Sequence, residues 1–294
     1  MDEREEEQIR QEFEQARKQQ RAAQAQEQQG PQMFEQSEFS DIHHVIGVVS
    51  GKGGVGKSYV CAILAIELAR KGYKVGILDA DITGPSIPKM LGLSNQRATA
   101  LDNLLVPATS KGGIKVMSAN LVLERETDPV VWRGPVIAGV LQQFWGQTAW
   151  GEIDYLLVDM PPGTSDVALT VFQSLPLEGI VIVSSPQDLV QMVVGKAVNM
   201  ANLMQIPVLG IVENMSYFTC PDCGKRIEPF GSSRLDETAA LYGINVLGRL
   251  PIDPAAAAMC DAGTIEDDLA DGMLTDAVDL IEATARYFES NDQA

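Results

Sequence analysis

The sequence predicts an α/β fold in which a doubly wound, mostly parallel sheet is flanked by helices. Two observations carry this prediction. Short apolar runs with few charges recur from residue 43 onward, and such runs are typical of strands that are covered on both faces. Segments with apolar residues at helical spacing alternate with these runs, as the crossover connections of a parallel sheet require. In this fold class, ligands bind at the carboxyl ends of the strands.

Seven runs predict strands in chain order, at residues 43–50, 74–81, 114–120, 155–162, 179–186, 208–215 and 245–251. Five segments between them predict helices, at residues 56–72, 135–147, 165–175, 188–204 and 233–243. The first helix ends at Gly72, which is a typical C-terminal cap. The regular alternation predicts one domain, which we place at residues 39–290.

An N-terminal arm, residues 1–38, precedes this domain. It is rich in Glu, Gln, Arg and Ala and has few large apolar side chains, so it cannot bury a core of its own. We expect a helical or disordered arm, which either keeps the protein soluble or binds a partner.

Charge and apolar content limit the classes of partner. The chain has 294 residues and a formal net charge of −18, which disfavours nonspecific binding to nucleic acid or to an anionic membrane. No run of about 18 apolar residues occurs, and the first ten residues are acidic, unlike a secretory leader. We therefore expect a cytoplasmic protein with no nucleic-acid or membrane partner.

Residues 50–58, SGKGGVGKS, contain the phosphate-binding pattern GxxxxGK[ST] between a predicted strand and a predicted helix. Glycines let backbone N–H groups approach phosphates, and the helix N-terminus favours negative charge. Lys57 is expected to neutralise phosphate charge, and Ser58 to ligate Mg²⁺. The predicted nucleotide-binding residues of this loop are Gly51, Lys52, Gly53, Gly54, Val55, Gly56, Lys57 and Ser58.

Two other predicted strands end in carboxylates. Asp159 ends an apolar strand, as expected of a Walker B acid that holds Mg²⁺ directly or through water. Asp79 and Asp81 lie two residues apart at the end of the second strand. We expect Ser58, Asp79 and Asp159 to serve magnesium, and Asp81 to orient the attacking water.

A second lysine, Lys52, follows the first glycine of the loop. Its side chain should project away from the phosphates that its own loop binds. Donated across a two-fold interface, it would stabilise charge on the partner's nucleotide, as an arginine finger does. The alternative is an exposed lysine on a loop. The predicted catalytic residues are Lys52, Lys57 and Asp81.

Cys220 and Cys223 form a CxxC pair in an insertion at residues 218–230. Two thiolates make half of a tetrahedral site, and two copies of the chain would supply four, enough for a bridging [4Fe-4S] cluster or Zn²⁺. A redox dithiol and structural thiols remain as alternatives. Cys61 and Cys260 are expected to pack in the interior.

The loop GKGGVGKS, with a lysine after its first glycine, is similar to the deviant Walker A loop of the MinD, ParA and nitrogenase iron protein group. The segments DADITGPSIPKMLG, VWRGPV, WGEIDYLLVDMPPGTSD and IVENMSYFTCPDCG resemble the Mrp/ApbC branch of that group. The resemblance covers roughly residues 43–260. The chain departs from it at Tyr59, where Thr is common, and at Ser165, where Gly is frequent.

The resemblance implies an ATP-dependent iron-sulfur cluster carrier that hydrolyses ATP slowly. It implies a homodimer in which Lys52 acts on the partner's nucleotide and a labile [4Fe-4S] cluster lies between protomers. Apo iron-sulfur proteins and a cluster assembly scaffold would be its partners. It also places Asn214 at the adenine, with Pro251 and Asp253 in the loop that closes over the base.

Two other functions are weighed against this one. A positioning or partition ATPase would need a membrane-seeking or DNA-contacting surface, and the C-terminal helix is acidic instead. An electron-transfer ATPase similar to the nitrogenase iron protein would also hold a cluster between subunits, but that protein's cysteines lie in separate segments.

Overall fold

The computed structural model describes residues 33–82, 84, 86–101, 104–123, 134–163, 165–186 and 190–292. Most of the predicted arm, up to residue 32, lies outside the described residues. The main compact unit begins at Phe34. The backbone N–H of Phe34 donates to the carbonyl oxygen of Ser174 at 2.8 Å, and Trp145 Nε1 donates to the carbonyl oxygen of Phe34 at 3.1 Å. These bonds attach the segment before the first strand to the unit.

The described residues contain eleven strands, nine of them in one sheet. They are β1 (Ser40–Ser50), β2 (Val75–Asp79), β3 (Thr99–Leu101), β4 (Leu104–Val106), β5 (Ala108–Thr109), β6 (Lys115–Met117), β7 (Gly151–Asp159), β8 (Gly179–Ser184), β9 (Val208–Thr219), β10 (Arg226–Ile227) and β11 (Asn245–Pro251). The sheet order is β10-β9-β8-β1-β7-β2-β6-β5, with β11 also paired to β9, and β3 and β4 form a separate hairpin. Within the nine-stranded sheet, pairing is parallel except at β5–β6 and β9–β10. The predicted mostly parallel sheet is confirmed.

Helices connect and cover these strands. Within the described residues they are α1 (Lys57–Arg70), α2 (Ile87–Met90), α3 (Ala119–Val122), α4 (Gly134–Gly146), α5 (Asp166–Ser174), α6 (Val190–Leu203), α7 (Leu235–Tyr242), α8 (Pro254–Ala262), α9 (Ile265–Asp268) and α10 (Thr275–Asp292). No described helix combines the length and the apolar character needed to span a bilayer.

The sheet separates two hydrophobic cores. Successive side chains of a strand point to opposite faces, and β1 follows this rule. Ile46 and Val48 belong to the core that α1 and α10 cover, whereas Val45 and Val49 belong to the core that α4, α5, α6 and α7 cover. Both faces of the sheet are therefore buried, which explains why the strands are apolar throughout.

The register of the central strands brings three chain segments to one edge. Asp159 at the end of β7 pairs with Val48 of β1 on one side and with Asp79 of β2 on the other. The loop that follows β1 therefore begins beside the two strand ends that carry carboxylates. The carboxyl edge of the sheet is the place that the fold class predicts for a ligand.

Candidate functional site

The predicted phosphate loop connects β1 to α1. Gly54 and Gly56 have φ angles of 80° and 81°, in the left-handed region that glycine adopts without steric cost. Ser50 Oγ donates a 3.0 Å hydrogen bond to the carbonyl oxygen of Lys52, which ties the loop to the strand end. The loop thus has the strand-loop-helix setting that the pattern requires.

A buried ion pair lies beneath this loop. Lys57 Nζ donates to Asp159 Oδ1 at 2.5 Å, and Ser58 Oγ donates to Asp159 Oδ2 at 2.5 Å. Lys57 Nζ also lies 3.7 Å from Asp81 Oδ2. Burial alone would lower the pKa of Lys57, but attraction to Asp159, and then to Asp81 and Asp79, raises it. The lysine is therefore held in its charged form among carboxylates.

The two acids at the end of β2, Asp79 and Asp81, differ in their surroundings. Asp79 is fully buried, and it accepts hydrogen bonds from Ser118 Oγ at 2.9 Å and from the backbone N–H of Asp81 at 3.2 Å. Burial, and then repulsion from Asp159, hold the pKa of Asp79 well above its usual range. Asp81 instead lines an open cavity. Ser118 was not predicted as a site residue, although it directly follows β6, the neighbour of β2.

The cavity has a volume of about 810 Å³ and is bordered by the phosphate loop, the middle of β9, the end of β11 and the start of α8. Nine predicted site residues line it: Gly53, Gly54, Gly56, Lys57, Ser58, Asp81, Asn214, Pro251 and Asp253. Gly51, Lys52, Val55, Asp79 and Asp159 are not among the described residues of its wall. The fold thus gathers most of the predicted nucleotide site around one space.

Asn214 lies against the phosphate loop itself. Its Nδ2 donates a 3.0 Å hydrogen bond to the carbonyl oxygen of Val55, and its side chain is buried. A Cβ atom at Gly56 would lie only 2.1 Å from the same Nδ2. Asp253 also has a structural contact, since its carboxylate accepts a 2.8 Å hydrogen bond from the backbone N–H of Ala255 and caps α8.

Several side chains that the sequence did not assign to the cavity also line it, among them Tyr59, Cys260 and Phe230. Tyr59 is half-buried, and burial, followed by the proximity of Cys260 and Asp253, raises the pKa of its phenol to about 12. Cys260 lines the cavity as well as packing against the core. Phe230 reaches it from the segment after the CxxC pair. Tyr59 could have been suspected from its place next to Ser58, but no local pattern indicates the other two.

The CxxC pair sits on a hairpin at the end of β9. Cys220 follows β9 directly, and the turn returns through Gly224, whose φ is 71°, into β10. The Cys220 N–H donates to the carbonyl oxygen of Lys225 at 2.9 Å, and the Gly224 N–H donates to the carbonyl oxygen of Cys220 at 2.9 Å. The guanidinium of Arg226 lies 3.6 Å from the ring centroid of Tyr217.

Both thiols of this turn reach solvent. Cys223 is exposed and Cys220 is partly exposed. Hydrogen bonds from the backbone N–H groups of Cys223 and then Asp222, and from the Cys223 side chain, lower the pKa of Cys220. Among the described residues, no group of three or more His, Cys, Asp and Glu side chains is arranged to hold a metal ion. The described part of one copy therefore offers only the two thiols here.

Comparison with known proteins places this arrangement in a family. A family model described as ParA, NUBPL iron-transfer P-loop NTPase, matches residues 41–283. The chain belongs to this family. Membership makes it a P-loop NTPase, and it confirms the resemblance on which the predicted function depends.

Individual relatives agree with this assignment. The chain is 50% identical over 243 residues to the iron-sulfur cluster carrier protein of Clostridium perfringens, covering 80% of this chain and 85% of that protein. A nucleotide-binding protein from Archaeoglobus fulgidus, solved in complex with ADP and with cobalt found in it, has a TM-score of 0.71 and 47% identity, covering 78% of this chain and 90% of that one. The cell division ATPase MinD of Pyrococcus furiosus, at 19% identity and a TM-score of 0.58, covers 83% of this chain and 99% of that one and shares the fold.

Proposed function

We propose that this chain is an ATP-dependent carrier that binds a labile [4Fe-4S] cluster as cargo between two copies of itself and transfers it to apo-proteins. The observation that carries the proposal is the presence, in one chain, of a phosphate-binding loop and an exposed pair of thiols that makes half of a metal site. The cluster carrier names of relatives at up to 50% identity support it. A cluster assembly scaffold is the proposed source of the cargo.

The cavity at the carboxyl edge of the sheet is the proposed ATP site. Backbone N–H groups of residues 51–58 and the N-terminus of α1 would bind the phosphates. Lys57 would turn from Asp159 toward the phosphates, exchanging one set of negative partners for another. Asn214 would hold the adenine side of the nucleotide, and Pro251 and Asp253 would close the loop over the base.

Oxygen ligands near the phosphates suit magnesium, which keeps several waters and takes few protein ligands. Ser58 Oγ is the proposed direct ligand, with Asp159 and Asp79 behind it as acceptors for the waters of the ion. Asp81 faces the cavity and would orient the water that attacks the γ-phosphate. When bound, the ion would neutralise charge on the transferred phosphoryl group.

Two-fold pairing completes both proposed sites. Lys52, which follows the first glycine of the loop, would act on the nucleotide that the other copy binds. Four thiolates from Cys220 and Cys223 of two copies would hold the cluster, and Zn²⁺ could bind there in its place. The lowered pKa of Cys220 favours the thiolate that either ligand needs.

Anaerobic reconstitution with iron and sulfide tests the cluster site. The wild-type protein should bind about four irons per dimer and should transfer them to an apo-protein that requires such a cluster. Cys220→Ala should lose this iron, whereas Cys260→Ala, a matched loss of one cysteine elsewhere, should keep it. Full iron binding by Cys220→Ala would refute the proposed site.

Subunit mixing tests the role of Lys52. Lys52→Ala should bind ATP but hydrolyse it poorly, and Lys57→Ala should not bind it. In a mixed dimer, the intact Lys52 of the Lys57→Ala subunit can reach the nucleotide bound to the Lys52→Ala subunit, so ATP hydrolysis should rise on mixing. If mixing restores no activity although mixed dimers form, Lys52 does not act across the interface.

A further inference from the structure

Strand β9 connects the nucleotide cavity to the thiol pair. Asn214, which contacts the phosphate loop, and Met215, which lines the cavity, lie in its second half, and Cys220 follows its last residue. The segment that returns from the thiol turn reaches the same cavity through Phe230. The CxxC hairpin is therefore in contact with the nucleotide cavity at both of its ends.

A buried carboxylate ties these two ends together. Glu213 is fully buried and directly follows an apolar run of the strand, residues 208–212. Its Oε2 accepts a 2.5 Å hydrogen bond from Ser216 Oγ on the same strand, and its Oε1 accepts a 2.7 Å hydrogen bond from Ser233 Oγ on the returning segment. Burying a carboxylate is costly unless it is hydrogen-bonded. Moving either hydroxyl away from Glu213 would therefore cost free energy, which keeps both serines in place. We call Glu213, Ser216 and Ser233 the serine clamp.

The backbone between the nucleotide cavity and the thiol pair has an unusual conformation. Met215 has a φ of 58°, a left-handed conformation that is uncommon for residues other than glycine. Its two neighbours are both anchored, because Asn214 bonds to the phosphate loop and Ser216 bonds to Glu213. Strained conformations persist when the surrounding structure determines them, and they cluster at ligand sites and switch regions.

We propose that the serine clamp positions the CxxC hairpin according to whether nucleotide occupies the cavity, so that nucleotide and metal alter each other's affinity. A nucleotide would contact Met215 and Phe230, and the clamp keeps these two segments moving together with the thiol turn. The coupling must be reciprocal, since each ligand changes the affinity for the other by the same factor. This inference rests on the proposed function, because it requires metal binding at Cys220 and Cys223.

Titration of the full-length protein with Co²⁺, with and without saturating ADP, tests the proposal. Thiolate-to-cobalt absorption reports metal affinity at the thiol pair. In the wild type, ADP should change the Co²⁺ affinity by about fivefold or more. In Glu213→Gln, the amide group cannot accept hydrogen bonds from both hydroxyls equally. The ratio of the Co²⁺ affinities with and without ADP should therefore fall to about one. ADP affinity, measured separately, should change much less.

Ser233→Ala keeps the buried carboxylate and removes only its hydrogen bond to the returning segment. This variant therefore tests the clamp if Glu213→Gln does not fold. It should also lose the coupling, whereas Ser232→Ala, an exposed neighbour, should keep it. The inference would be overturned if ADP changed the Co²⁺ affinity of both clamp variants as much as that of the wild type. It would also be overturned if the wild type bound both ligands and ADP left its Co²⁺ affinity unchanged. Neither result would contradict the proposed function. A wild type that binds ADP but no Co²⁺ at its thiols would overturn the proposed metal site as well.

Discussion

Replacing Gly56 with alanine should disturb the phosphate loop in two separable ways. The residue has a φ of 81°, which alanine adopts only with strain, and the new Cβ atom would lie 2.1 Å from Asn214 Nδ2. Two other glycines of the loop isolate these effects. Gly54 has a φ of 80° but open space around its Cβ position, and Gly53 has open space and no positive φ.

The expected costs follow from these geometries. Gly54→Ala should lower the free energy of unfolding by about 1–2 kcal/mol through backbone strain alone. Gly56→Ala should lower it by a further ~1–3 kcal/mol, because Asn214 must move and the buried carbonyl of Val55 loses its hydrogen bond. Gly53→Ala should be neutral or slightly stabilising, since it restricts the unfolded chain without native strain.

Denaturant unfolding of the nucleotide-free protein measures this series, and Asn214→Ala completes a double-mutant cycle. In the Asn214→Ala background, the steric conflict is absent, so Gly56→Ala should cost no more than Gly54→Ala does in the wild type. The two substitutions at 56 and 214 should therefore be less than additive by about 1–3 kcal/mol. Equal costs for Gly54→Ala and Gly56→Ala, or strict additivity, would refute the reasoning.

Three other outcomes are expected. Lys57→Met should abolish ADP binding in calorimetry and lower stability by about 3–5 kcal/mol, because Asp159 loses its buried counter-charge; unchanged ADP affinity would contradict this. Tyr59→Thr should lower the affinity for ADP by about 2–10-fold but leave the affinity for inorganic triphosphate unchanged. Tyr59→Phe should resemble the wild type in the same competition assay. An equal loss of affinity for both ligands would exclude a role of Tyr59 at the nucleoside. The hydrogen bond to Glu178, opposed by burial, raises the pKa of His44 above 6.5. The wild type should therefore be more stable than His44→Gln by an amount that is complete below pH 6.5 and declines as pH rises through the raised pKa. A difference in unfolding free energy that does not depend on pH would contradict this.

The parts of the fold that the sequence predicts are those in which local pattern and burial agree. All seven predicted strands form, because each lies in an apolar run that the sheet buries on both faces. β6 has three residues but lies in a predicted run of seven, whereas β3, β4, β5 and β10, of two or three residues each, were not predicted. Such short segments contain too few side chains for a period to appear, and only their sheet neighbours hold them extended.

The site divides in the same way. Residues of the phosphate loop are contiguous, so one pattern predicts them together. Ser118, Phe230 and Ser233 come from distant parts of the chain, and only the fold brings them to the site. Glu213 did carry a signal, since a carboxylate inside an apolar strand must find partners in the folded protein. What the sequence could not supply was the identity of those partners.

The construction of the CxxC hairpin bears on how firmly it would hold the proposed cargo. Its ladder has only two residue pairs, Arg226 with Thr219 and Ile227 with Phe218. β10 is the outermost strand of the nine-stranded sheet, so these two pairs give it little support, and the contact of Arg226 with Tyr217 adds only about 0.5–1 kcal/mol. If the two thiols bind metal as proposed, part of the binding free energy would go into ordering them. The resulting affinity would then be lower than that of a rigid four-thiolate site, and a lower affinity would favour release to the proposed acceptor.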